Sequence, residues 1–534
     1  MQDKQVAKTK KKARISLGNV ALLLMATTLI GQVLGFLRTK LVNANFPSTG
    51  PESTGAYFAA FTIPDFFFYT LAAGALGVAF MPILAERMHK GDKRGVWELS
   101  GSLMNLLSMV MLAVGVIIFV FAEPLIKHIV APGLDRQQLD NAVTIMRFLA
   151  LNPFFFTLSG VLTATQQTLG RFFFYAIAPL FYNLSIIASI YIFQGTGVGI
   201  VGLGIGAAIG GVLQLLIICF GLIGTKFHWR PKIAWKSEDF RTILRNLPAR
   251  SLDQGMDQLQ AVVETRFASR LGTEFISHYN NAYTLHMAPI LLLGTAISTA
   301  AFPQLNLRIA QGRSDLFRRD FLRVLRIMVW LTIPVVIVCY FARGYLARLI
   351  FSRDAPEIAL IFGFLTVAIF FRVVYAIISR WFYAQKDTKT PLVVSIFVIL
   401  LNIVLASWLA RPSTYGIAGL AISQSIVAMT EVVILLTIML IRDRGLFSLE
   451  FWGAMLKILS VAGFSLVAGY MTVSFFPLEA GERGFLTLGT KLAVIAATIF
   501  GTYLVVSAVF GLEEAKAVFN RVRRIILKPI KVQY

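Results

Sequence analysis

The sequence predicts an all-α, polytopic membrane protein of fourteen transmembrane helices: two six-helix lobes related by a pseudo-twofold axis, plus two extra C-terminal helices. Three observations predict it. The first is composition. Of 534 residues, 57% are hydrophobic and 14% are charged, against roughly 25% charged in a soluble domain. One or two globular cores cannot hide that excess, so lipid is the main solvent and a soluble enzyme is excluded. The second is that apolar runs recur at membrane-spanning length. The third is charge placement: of 50 Lys and Arg, 31 fall in tails and loops on one side of a fourteen-span ladder, 7 on the other and 12 within spans. Basic loops stay inside, so both termini are expected in the cytoplasm.

Taken in order, a basic tail (1–17) carries Lys4, Lys8, Lys10, Lys11, Lys12 and Arg14. It reads as a retained anchor, because a full-length span follows it without a small-residue cleavage site. The N-lobe (18–225) holds spans near 18–43, 56–85, 96–122, 140–166, 171–194 and 199–225. A basic cytoplasmic linker (226–249) precedes the C-lobe (250–445), with spans near 250–269, 276–307, 325–346, 357–382, 390–410 and 416–441. Asp253, Asp257, Glu264 and Arg266 interrupt the first of these six. Two more spans, near 450–476 and 485–511, fill the segment 446–511, and a second basic tail closes the chain (512–534). The inside loops include Arg87, Lys90, Lys93 and Arg94, then Lys226 through Arg245 and Arg308 through Arg323. Pro64, Pro153, Pro179, Pro289 and Pro334 fall within spans, where each removes a backbone donor and tends to kink its helix.

The lobes are predicted from an internal repeat of about 220 residues. Gly199-Ile-Val-Gly-Leu matches Gly416-Ile-Ala-Gly-Leu, Gln166 and Asn183 match Gln385 and Asn402, and Ala79-Phe80 matches Ala301-Phe302. Six spans separate the copies, so both have the same orientation, as in two-lobed transporters. Shared helix-packing chemistry alone would not keep the offsets so even.

The five histidines are scattered, no nucleophile or phosphate-loop pattern occurs, and Cys219 and Cys339 read as small core hydrophobes. An enzyme, an ATP-driven pump, a metal site and nucleic-acid binding are therefore not expected. Ionisable groups within spans are the informative residues, since each costs roughly 2.5–3.5 kcal/mol at a helix centre unless it faces a cavity or partner. They include Arg38, Lys40, Asp65, Arg147, Asp257, Glu264, Arg266, His286, Arg372, Glu431, Lys457 and Lys491. The three lysines read as snorkelling. Arg38 follows Gly31 and Gly35, which thin the helix for a bulky anion that a guanidinium grips bidentately; a membrane-edge anchor is the other reading. Glu264 and Arg266 do not face each other, so their partners come from other helices, either as a structural ion pair or as substrate contacts.

Four stretches make the chain resemble the MurJ (MviN) family of lipid II flippases in the MOP transporter superfamily. They are Val33-Leu-Gly-Phe-Leu-Arg38, Ala56-Tyr-Phe-Ala-Ala-Phe-Thr-Ile-Pro-Asp65, Arg171-Phe through Asn183, and Arg380-Trp-Phe-Tyr-Ala-Gln-Lys-Asp-Thr-Lys-Thr-Pro391. The resemblance implies a cationic cavity between the lobes, a lipid-tail groove on the last two helices, and cavity roles for Arg38 and for Asp65, which stands where an Asn is usual. Gln32, Gly55, Ala73, Tyr283-Thr284 and Met287 depart from the family's usual Arg, Asp, Glu, Asp-Arg and Glu.

The function so implied is movement of lipid II, a lipid-linked peptidoglycan precursor, from the cytoplasmic to the outer leaflet of the bacterial inner membrane by alternating access. Arg38, Asp65, Glu264, Arg266 and Arg372 are the expected substrate-binding set. No cofactor is expected, with coupling to the membrane potential or a monovalent ion left open. Partners would be lipid II, membrane lipids and cell-wall synthases. Other readings are export of another undecaprenyl-linked oligosaccharide or of a small cationic drug, or a transport-dead scaffold for cell-wall synthesis.

Overall fold

A computed structural model describes residues 17–73, 80–225, 227–351, 353–479 and 481–516. The N-terminal lysines and Arg14, Ala79, Lys226 and residues 517–534 lie outside the described residues, as do the side chains of Ala73, Asp253 and Asp257. Among the described residues every regular element is helical.

The first half comprises α1 (Leu17–Asn45), α2 (Thr54–Phe67), the π-helical π1 (Phe68–Ala73), α3 (Met81–His89), α4 (Lys93–Pro124), π2 (Leu125–Val130), α5 (Arg136–Leu149), α6 (Asn152–Thr168), α7 (Phe173–Phe193) and α8 (Val201–Phe220). After α9 (Glu238–Leu271), the second half has α10 (Thr273–Pro289), π3 (Ile290–Thr295), α11 (Ala296–Ala310), α12 (Ser314–Phe341), the short α13 (Arg343–Ile350), α14 (Ala355–Ala384), α15 (Lys389–Leu409) and α16 (Ala418–Arg442). The last two helices are α17 (Leu449–Phe475) and α18 (Phe485–Val509). Among the described residues, eleven helical runs are long and apolar enough to cross a membrane. The other three expected spans coincide with α1, the α2–α3 run and the charged α9, which is consistent with fourteen.

Contacts group the chain into two compact units. The first contains residues up to Asn45, Ala60–Ile126 and Leu139–Gln258; the second contains Phe46–Ala59, Lys127–Gln138 and the chain from Leu259. Each repeats one packing plan. In the first, α4 packs on α6, α6 on α8 and π1, and α7 on α8; in the second, α12 packs on α14, α14 on α16 and π3, and α15 on α16. The wide turns π1 and π3 start at Phe68 and Ile290, 222 residues apart, the offset of the Phe80 and Phe302 match. The matched glycines do equivalent backbone work. Gly199 and Gly416 are left-handed (φ 51° and 54°), a conformation that costs other residues a Cβ clash.

The sequence of α8 explains its tight seat on α7. A Cβ at Gly202, Gly206 or Gly210 would lie 2.4, 2.3 or 2.9 Å from Phe193, Ser189 or Tyr182, so the i, i+4, i+8 glycines let two backbones approach in lipid. Proline acts more selectively than the sequence predicts. Pro289 ends α10 where π3 begins, and Pro64 lies one turn before π1, where the missing donor favours a wider turn. Pro153, by contrast, stands at the start of α6, where no helical hydrogen bond is lost. The cysteine reading is corrected in part. Cys339 is buried, but Cys219 is exposed, because α8 is apolar on all sides and one side faces outward.

The Arg380–Pro391 stretch builds a turn between α14 and α15. Asp387 accepts hydrogen bonds from the amide of Thr390 (3.0 Å) and its hydroxyl (2.6 Å), while Arg442 at the end of α16 donates to Asp387 (2.6 Å) and Thr390 (2.8 Å). Burial pushes the Asp387 carboxyl up, but the Thr390 and Arg442 contacts outweigh it and hold it at about 2. A depressed folded value gives stability that is complete above the unfolded pKa near 4 and fades as pH falls toward 2. Asp387→Asn is therefore expected to cost about 1–2 kcal/mol at neutral pH. In thermal unfolding of the purified protein its deficit should shrink as pH drops from about 5 to about 3; a deficit independent of pH would contradict this role.

Candidate functional site

Two polar constellations stand in otherwise apolar surroundings, one in each unit. In the first unit Arg38 on α1 and Asp65 on α2 are both half-buried and lie within electrostatic reach of each other. Tyr69, one turn further in π1, also senses Asp65 and is 40% exposed. The two glycines before Arg38 divide their tasks. A Cβ at Gly35 would meet nothing within 4 Å, whereas one at Gly31 would lie 3.6 Å from Leu180 on α7. Gly35 therefore leaves open space one turn before the guanidinium, and Gly31 serves packing.

The second unit holds a larger network. Glu264 on α9 is buried and accepts a hydrogen bond from Gln260 one turn earlier (2.9 Å), and the Gln260 amide also donates to Gln424 on α16. Tyr279 on α10, Asn402 on α15 and Arg372 on α14 surround the same carboxylate. Arg372 pairs with Glu431 on α16 at 3.2 Å, and Ser395 on α15 donates to the other Glu431 oxygen at 3.0 Å. Glu431 is 2% exposed, and a charge so buried persists only with a partner. His286 completes the group, its Nδ1 3.1 Å from the Leu365 carbonyl. Five helices thus converge on two carboxylates and one guanidinium.

Glu264 draws most of its partners from other helices, and Arg372 is among them. Arg266 does not join them. It donates to the carbonyls of His128 and Ile129 (the latter at 2.9 Å) at the end of π2, where a cation offsets the dipole of unsatisfied carbonyls. Arg147 is exposed beside Phe119, with its guanidinium 5.7 Å from the ring. Lys491 meets Glu482 and the Pro477 carbonyl (2.8 Å), and Lys457 is exposed. Sequence reasoning missed Gln260, Tyr279, Asn402 and Gln424; the i, i+4 spacing of Gln260 and Glu264 was the available signal. Among the described residues no three His, Cys, Asp or Glu side chains converge as a metal site.

One family departure has a direct cause. A Cβ at Gly55 would lie 2.3 Å from the Thr273 carbonyl, so no side chain fits where the family's Asp is usual.

Comparison with known proteins decides the family. The model described as "Lipid II flippase MurJ" matches residues 50–488. The chain belongs to the MurJ family. Among curated MurJ relatives, the probable lipid II flippase of Borreliella burgdorferi is 23% identical over 512 residues, covering 94% of this chain and 98% of its own. The lipid II flippase of Burkholderia cenocepacia is 27% identical over 436 residues, covering 79% and 83%. A solved MurJ in an inward closed conformation shares the fold, with TM-score 0.74, 23% identity and coverage of 92% and 98%. An inward-facing multidrug resistance MATE transporter of the MOP superfamily gives TM-score 0.66 at 18% identity, covering 79% and 98%. This MurJ-family chain is thus a multi-pass membrane transporter with a MOP-type fold, not an enzyme.

Proposed function

We propose that this chain carries lipid II from the cytoplasmic to the outer leaflet of the bacterial inner membrane by alternating access. The observation that carries this reading is the family match over residues 50–488, joined by a curated relative aligned over 98% of its own length. Arg38 binds the pyrophosphate beside the open face at Gly35, and Asp65 restrains the guanidinium between cycles. No bond is broken, so the work lies in binding and exchange of conformations. The direct test is complementation in cells depleted of their own lipid II flippase. Restored growth is expected, and a stably inserted chain that fails to restore it would overturn the assignment to lipid II.

Orientation follows from the 31 to 7 bias of basic residues, which favours both termini in the cytoplasm. A reporter fused after Leu512 should score as cytoplasmic; an external score would refute the fourteen-span arrangement.

Transport is coupled to the membrane potential or a monovalent ion, and the second-unit network is where coupling would act. There Glu264 and the Asn402 Oδ1, which accepts no hydrogen bond among the described residues, supply oxygen ligands. Flipping should fall when either the potential is collapsed or sodium and potassium are replaced by choline. Indifference to both treatments would contradict coupling of either kind.

A further inference from the structure

The first unit also contains a basic recess that Arg38 and Asp65 do not line. It encloses about 350 Å³ and is lined by Arg94, Trp97 and Glu98 from the first turns of α4 and by His228, Arg230 and Lys232 from the irregular segment between α8 and α9. Three side chains of α4 hold that segment in place. The Asn105 amide donates to the carbonyls of Arg230 (2.7 Å) and Lys232 (3.1 Å), while its oxygen accepts from the Trp229 indole (2.8 Å). The Ala234 amide donates to Ser102 (3.1 Å), and Trp97 meets Phe227 edge-on with ring centres 5.4 Å apart. Both the amide nitrogen and the oxygen of Asn105 are thus engaged in fixing a loop that carries two cations.

The basic charges at this recess are only partly balanced by the protein. Neighbouring basic residues have acidic partners, as in Arg87 with Asp239 (2.6 Å) and Lys90 with Glu86 (2.6 Å). Arg94, Arg230 and Lys232 have no carboxylate within 4.0 Å among the described residues. Glu98 is the single acidic lining residue. Three like charges held around a preformed recess repel one another, and an anion relieves that repulsion.

Depth specifies the anion further. The recess lies where the candidate spans Lys93–Val130 and Val201–Phe220 meet their polar ends, and Trp229 and Trp235 beside it are 55% and 54% exposed. Exposed tryptophans flanking basic residues at a span end mark the headgroup layer of a bilayer. We propose that this recess is a binding site for a phosphate-bearing anion, with the phosphodiester of an anionic lipid headgroup as its occupant. Assignment to the cytoplasmic leaflet rests on the orientation argued above; the site itself does not.

The test titrates the full-length protein in neutral detergent with dihexanoyl phosphatidylglycerol, dihexanoyl phosphatidylcholine and orthophosphate, read by tryptophan fluorescence. Saturable binding of phosphatidylglycerol but not phosphatidylcholine is expected, weakened at least about tenfold by Arg230→Glu combined with Lys232→Glu. Glu98→Gln should tighten binding, a gain that a misfolded variant cannot produce. If orthophosphate binds as tightly as phosphatidylglycerol and is lost in the same double variant, the anion site stands and its occupant is a soluble phosphate. Absence of saturable binding by either anion, or binding unchanged in both the double variant and Glu98→Gln, would overturn the proposal.

Discussion

Arg38→Ala is expected to abolish flipping while leaving the protein inserted and folded. Arg38 is half-buried about one turn after Gly35, where an added Cβ would meet nothing within 4 Å, and thermal unfolding of the variant separates loss of transport from the effect of leaving Asp65 without its cation. What is lost is two charge-assisted hydrogen bonds to pyrophosphate, at about 1.5 kcal/mol each, which corresponds to about a hundredfold loss in substrate binding. Arg38→Lys should recover only part of the activity, because a point charge loses the bidentate geometry. Lys457→Ala should do little, since Lys457 is exposed on α17. Retained flipping in Arg38→Ala would remove this residue from the mechanism. Loss of insertion would instead make it an anchor.

Arg372→Leu is expected to destabilise the second unit strongly. It leaves Glu431, 2% exposed, without its ion-pair partner, and it removes the cation that also faces Glu264. Breaking a buried pair from one side costs about 3–5 kcal/mol, whereas replacing both partners with apolar residues is often near neutral. The double variant Arg372→Leu, Glu431→Leu should therefore regain most of the lost thermal stability. Transport should not return with it, if the network changes arrangement during the cycle. A single variant as stable as the parent would show that Glu431 is held by other contacts.

The helices were legible because lipid leaves so few ways to satisfy a backbone. Runs such as Ala418–Arg442 must be helical to be solvated at all, and the basic loops set their direction. The repeat was legible for a related reason, since Gly199 and Gly416 each occupy a conformation few other residues tolerate. Arg38 and Asp65 were legible because each is a rare charge beside a distinctive local pattern. The second-unit network was not. Asn402 and Glu431 sit in largely apolar helices, and single-sequence periodicity does not say which face of such a helix turns inward. Arg266 met the same obstacle: the sequence left a structural partner and a substrate contact both open, and the side chain donates to the carbonyl end of π2, where His128 is 138 residues away in sequence. The obstacle at Gly55 was equally invisible, because it depends on a carbonyl contributed by Thr273.

The central claim is tested most directly by following labelled lipid II in cells depleted of their own flippase and supplied with this chain. Outer-leaflet accessibility of the label should rise with the parent chain and remain at background with Arg38→Ala expressed and inserted to the same level. Background accessibility with the parent chain itself, present and correctly inserted, would contradict the account.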